Sequence, residues 1–115
     1  MLEMPSRRVL NLVDNREPEK PRDVRQEEVA RRLMTVSSKF YSKGPIDAMS
    51  RAQSAQLGSA WENLERTHVV RCDINEHDCE RDGITSPPAW RIRGKQYQGM
   101  LKLEDLERIL FEDSQ

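Results

Sequence analysis

Val29, Leu33 and Met34, with Val36 close behind, form one apolar stripe in a stretch that is otherwise charged. That spacing predicts a helix opening at Asp23, with Asp23 as N-cap and Gln26 as its capping-box partner. "SKFYS" (Ser38 to Ser42) reads as a short strand, ended by Gly44-Pro45. Proline is favoured in a first helical turn, so this pair also sets up a second helix. Ile46, Met49, Leu57, Ala60, Trp61 and Leu64 fall on one face of it, and Asp47 near its start suits the helix dipole.

"THVVRCDI" (Thr67 to Ile74) is β-branched and apolar, the pattern of a buried central strand. A polar turn or short helix spans Asn75 to Gly83. "AWRIR" (Ala89 to Arg93) then alternates, Gly94-Lys95 turns tightly, and "QYQG" (Gln96 to Gly99) returns as a partner strand. A last helix over 102–114 carries Leu103, Leu106, Ile109 and Leu110 on one side. The predicted order is α-β-α-β-α-β-β-α, a βαβ unit joined to a ββα unit, with no internal repeat.

The first 22 residues differ in kind. Three prolines and many charges make them an extended arm, with Val9, Leu10, Leu12 and Val13 able to dock it. Two units follow: arm 1–22 and domain 23–115. A chain of 115 residues suits one such domain.

Charge narrows the partners. Lys and Arg total 19 against 20 for Asp and Glu, a net charge of −1, and Arg7-Arg8 and Arg31-Arg32 are interleaved with carboxylates. No field for nucleic acid or an anionic membrane is expected. No apolar run approaches the ~20 residues of a membrane span. The N-terminus lacks the apolar core of a secretory signal. The expected setting is therefore cytoplasmic or the plastid stroma.

The element order resembles the thioredoxin fold, an α/β fold with a central mixed four-stranded sheet flanked by helices. The stretch "GITSPPAWRIRGKQYQGMLKLEDL" is similar to the thioredoxin-like domain fused to vitamin K epoxide reductase homologues of photosynthetic organisms and bacteria. The matching positions are Gly83-Ile84, Pro88, Trp90, Gly94, Tyr97-Gln98-Gly99 and Leu103-Glu104-Asp105-Leu106. Upstream, "KFY" (Lys39 to Tyr41), "LGSAW" (Leu57 to Trp61) and "VVRCD" (Val69 to Asp73) also resemble family segments, so the likeness covers 24–111. The resemblance implies that Pro88 is the cis-proline before the third core strand. The cis form costs X-Pro bonds only ~0.5–1 kcal/mol. Pro87 before it is itself held extended and removes one backbone donor.

The family's Cys-x-x-Cys would fall after the first strand. Here that place holds Gly44-Pro45-Ile46-Asp47-Ala48-Met49-Ser50, with the aligned tetrad Ile46 to Met49 or Asp47 to Ser50. Dithiol exchange needs a thiolate at a helix N-terminus and a resolving thiol in reach. None of these residues supplies either, so no catalytic dithiol is expected.

Cys72 and Cys79 remain, where the family often carries an analogous pair. Three readings stay open: reduced thiols with Cys72 half-buried and Cys79 exposed, a local disulfide, or a redox-active pair. "CDINEHDC" is a poor zinc site, because only His68 is near as a fourth ligand to Cys72, His77 and Cys79. Trp61 and Trp90 are expected in the packing of helix on sheet. Arg91 and Arg93 are expected on an outer, solvated face. No nucleophile-base pair, phosphate loop or paired carboxylates appear, and no cofactor is called for.

These readings make the chain a redox-inactive thioredoxin-fold module for protein binding, assembly or scaffolding. Its groove is expected at Gly44, Pro45, Ile46, Ser86, Pro87 and Pro88, with another protein or complex as partner. The rival reading is a thiol-disulfide oxidoreductase or redox sensor using Cys72 and Cys79.

Overall fold

Phe40 and Tyr41 project to opposite faces of strand β1 (Ser38–Ser42), and this alternation gives the molecule two cores. In the computed structural model, which describes residues 20–112, β1 is one of the two inner strands. It pairs in parallel with β2 (Val69–Arg71) and antiparallel with β3 (Ala89–Ile92), which pairs antiparallel with β4 (Lys95–Gln98). The order is β2-β1-β3-β4: a mixed four-stranded α/β sheet flanked by helices. The arm lies outside the described residues up to position 19, and Arg22 already belongs to the first helix.

The larger core covers the Phe40 face. Helices α1 (Arg22–Thr35), α2 (Ala48–Leu57), α3 (Glu62–Glu65) and α5 (Leu103–Glu107) contribute Leu33, Leu57, Leu64 and Leu106. Phe40 and Trp90 each meet Trp61 near edge-on, with centroids 5.5 Å apart for Phe40–Trp61 and 6.3 Å for Trp61–Trp90. Both tryptophans are thus core residues, as their spacing predicts. Such ring pairs add about 0.5–1.5 kcal/mol beyond the area they bury. The smaller core joins Tyr41 and Ala89 to Cys79 of α4 (Glu76–Arg81) and to Ile84.

Several expectations are corrected. α1 starts two residues earlier, with Pro21 at the cap position and no side-chain cap. Asp23 falls inside its first turn. Gln26 reaches across to α2, donating from Nε2 to the Gln56 carbonyl at 3.0 Å. Met34 lies outside the stripe, 45% exposed, and Ala30 takes its place. The second helix is not continuous, because Gly58 takes φ +57° and ends α2. A 3-10 turn (Gly58–Trp61) then leads into α3. Ile46 precedes the helix and Met49 faces outward, so the stripe starts at Ser50, Gln53 and Leu57.

β2 has three residues and sits at the sheet edge, half-buried, where a buried central strand was expected. The hairpin turns one residue early: Arg93 and Gly94 both have positive φ, as a two-residue type I′ turn requires. Arg93 is exposed, as expected, and its guanidinium also donates to the carbonyls of Ile109 (3.1 Å) and Leu110 (3.3 Å). Those carbonyls belong to a π-helical turn (Arg108–Glu112) that closes the last helix, with 113–115 outside the described residues. Arg91 is half-buried, its Nη2 donating to the Asp82 carbonyl at 2.6 Å.

Candidate functional site

One end of the sheet gathers nearly every residue singled out from the sequence. Tyr41 pairs with Ala89, so the same register sets Ser42 opposite Pro88. The Cys72 amide donates to the Ser42 carbonyl at 2.8 Å, and the Gly99 amide donates to the Pro88 carbonyl at 2.9 Å. The ends of β1, β2 and β4 and the start of β3 therefore converge on the loop from Lys43 to Asp47.

The helix end at this place is occupied by its own side chains. Asp47 is the N-cap of α2, and its Oδ2 accepts from the Ser50 amide at 2.8 Å and the Ser50 hydroxyl at 3.0 Å. Ser50 Oγ accepts in turn from the Lys43 amide at 3.0 Å. The amide hydrogen bond from Ser50 holds the Asp47 carboxyl below the usual carboxylate range. Asp47 and Ser50 thus face each other across the first turn of α2. A carboxylate and a hydroxyl bonded to each other supply no thiolate for disulfide exchange.

Gly44 shapes the loop. Its φ of +128° is a glycine conformation, and a Cβ there would stand 3.1 Å from Asp73 Oδ2. Asp73 is held by Arg71, whose Nε donates to Oδ1 at 3.1 Å. That hydrogen bond lowers the Asp73 carboxyl below its ordinary value. Gly44 and Pro45 share an open cleft of about 400 Å³ with Arg71, Ile74 and Asn75.

Cys72 and Cys79 are joined in a disulfide, with Cα atoms 5.8 Å apart. Cys79, expected to be exposed, is 3% exposed within the smaller core, because α4 turns its inner face to Tyr41 and Ala89. With both sulfurs in the bridge, neither is a thiolate for metal binding. Among the described residues no group of three or more His, Cys, Asp and Glu is placed to hold a metal ion.

Ser86, Pro87 and Pro88 line the other side of this end, and the Pro87–Pro88 peptide is cis. They do not line the Gly44 cleft. The link between the two sides is Met49, because a Cβ on Gly99 would lie 3.3 Å from its Cε. The Gln98 side chain bonds the Ser86 carbonyl and, at 3.3 Å, the Pro88 carbonyl. Neither proline has an N–H, and the Pro87 carbonyl accepts no hydrogen bond from the described residues.

Three large apolar side chains stand uncovered here: Ile46 is 88%, Ile74 67% and Met49 48% exposed. Ile74 was expected to end a buried strand, but β2 stops at Arg71 and Ile74 falls in the exposed loop beyond it. Gln53 was also missed. Its place in the α2 stripe, between Ser50 and Leu57, was the available sign that it is buried.

No protein-family model matches the chain, and no curated protein matches it. Among the described residues no helix is long and apolar enough to cross a membrane.

Proposed function

We propose that the chain is a thioredoxin-fold protein, akin to the domain fused to vitamin K epoxide reductase homologues, that binds an extended segment of another protein. Assembly or scaffolding of a larger complex is the role such binding serves. The strand order, with β1 parallel to β2 and antiparallel to β3, supports the fold reading. So does the cis peptide just before β3. The absence of any cysteine in 44–50 argues against dithiol catalysis.

The observation that carries the binding reading is the exposure of Ile46, Met49 and Ile74 around one end of the sheet. Burying one such side chain is worth about 1.5–3 kcal/mol, so the three offset much of the cost of association, and the partner's own apolar side chains and backbone pairing supply the rest. Pairing with the backbone is one-sided: Pro87 offers a carbonyl and no N–H. The partner segment therefore donates an amide to Pro87 and lays apolar side chains on Ile46 and Met49.

Selection from a displayed random-peptide library tests this. Enriched peptides should be extended and apolar, and should shift the amides of 44–50, Ile74 and Gly99. Their binding should fail on Ile46→Asp. Enrichment of no peptide, or shifts confined to other surfaces, would sink the reading.

A further inference from the structure

The loop closed by the disulfide is a wall of the cleft. Between Cys72 and Cys79, Asp73 packs its carboxylate against Gly44, and Ile74 and Asn75 line the cleft with Pro45. The loop is tied to the body at few other points. The Cys72 amide bonds Ser42 at 2.8 Å, and the amides of Ile74 and Asn75 bond only back to the Arg71 carbonyl. Arg71 and Asp73 pair with each other, within the same segment. α4, whose first half lies within the loop, has six residues, and Cys79 is its one buried residue. The cross-link therefore sets the position of this wall more than packing does.

We propose that reversible reduction of Cys72–Cys79 controls the docking surface, with the oxidised form holding Asp73 and Ile74 against Gly44 and Pro45 and the reduced form releasing them. The inference rests on the binding role proposed above. Cys72 is the more exposed partner, so the thiolate of a dithiol reductant attacks its Sγ. A mixed disulfide forms there, and Cys79 leaves as a thiolate and takes a proton. The reductant's second thiol then attacks the mixed disulfide on its own sulfur, and Cys72 leaves and is protonated. Two electrons and two protons pass to the protein, and the reductant ends as a disulfide.

The body tolerates this step. A buried cysteine thiol packs as a small apolar group, so Cys79 stays with Tyr41, Ile84 and Ala89. Neither cysteine belongs to the larger core; both sit with the smaller one. Release is thus local, an opening of the 73–78 loop while the sheet persists.

The test is amide hydrogen exchange on the full chain, oxidised and after dithiothreitol, with a library-selected peptide titrated into both forms. Reduction should speed exchange at 72–78 by about ten-fold or more while β1 and β3 stay protected. Peptide affinity should fall about five-fold or more. A Cys72→Ser/Cys79→Ala variant should behave as the reduced form with or without dithiothreitol. Unchanged exchange in the loop, or loss of protection throughout the chain, would overturn the switch. Faster loop exchange with unaltered peptide affinity would overturn the control and leave the docking surface standing. If the oxidised protein selects no peptide, the binding role itself fails and the switch falls with it.

Discussion

Gln53 and Trp90 share a buried hydrogen bond that joins α2 to the centre of the sheet. The indole Nε1 donates to Gln53 Oε1 at 2.7 Å, and Gln53 is fully buried. The same oxygen accepts the Leu101 amide at 2.7 Å, and Gln53 Nε2 donates to the Leu101 carbonyl at 2.8 Å. One side chain therefore satisfies three groups of other residues, the fully buried Trp90 indole among them. Gln53→Leu fills the same space and leaves all three unpaired, each at a cost of about 1–3 kcal/mol. Because the three share one network their losses do not simply add, and the expected total is about 2–5 kcal/mol. Urea denaturation followed by tryptophan fluorescence reads it directly. A loss under 1 kcal/mol would mean that water replaces Gln53.

Gly44→Ala probes the loop from the other side. The substitution asks an L-residue to hold φ +128° and brings its Cβ to 3.1 Å from Asp73 Oδ2. Backbone in such a region costs about 1–3 kcal/mol, and the carboxylate contact adds to it. Asp73→Ala in the same chain should recover only the contact part, since the backbone term does not depend on Asp73. A double-mutant cycle on urea midpoints separates the two. Full recovery in the double variant would show that crowding alone makes Gly44 necessary.

How far the sequence reveals this structure depends on whether the deciding interaction is local. The hairpin, the first strand and the two buried tryptophans were legible because alternation and helical spacing are local signals. The end of α2 at Gly58 was not, because Gln26, 32 positions earlier, closes over that turn and a single glycine in a helical pattern is often tolerated. β2 misled for a related reason: "VVR" is β-branched whether the strand is central or at an edge, and only the sheet order decides. At the site, the lack of any cysteine in 44–50 could be read by inspection. The exposure of Ile46 and Met49 could not, since both extend the α2 stripe and differ from core residues only in where the helix begins.

Tyr41 and Asp82 make stability depend on pH at both ends. The Tyr41 hydroxyl donates to Asp82 Oδ2 at 2.8 Å. Burial, then this bond, pushes the Tyr41 phenol up to about 12. The bond likewise holds the Asp82 carboxyl below its ordinary value. A raised phenol contributes stability that is complete below its unfolded value of about 10 and lost as pH rises through the folded one. A depressed carboxyl contributes stability that is complete above about pH 4 and lost as pH falls through its folded value. Tyr41→Phe should therefore flatten the alkaline limb fully and the acid limb in part, because Lys39 and Arg81 still act on Asp82. Urea midpoints measured across both limbs test this, and identical profiles for the two proteins would discount the bond.

Ile46 separates stability from binding. At 88% exposure it contributes almost no buried area, so Ile46→Asp should leave the urea midpoint within about 0.5 kcal/mol of the parent. The new carboxylate lies next to Asp47, whose own charge already caps α2, and neither takes part in the core. Against a docked apolar segment the same change is severe. It removes an apolar contact worth about 1.5–3 kcal/mol and places a charge where the partner brings no counterpart, so affinity should drop at least about ten-fold. Ile46→Val keeps an apolar surface and should stay within about three-fold. Isothermal titration with a library-selected peptide distinguishes the cases, provided each variant first shows the parent's denaturation curve. Equal weakening by Val and Asp would point to loop shape as the determinant. No weakening by Asp would remove Ile46 from the contact and with it the main support for this surface as the docking site.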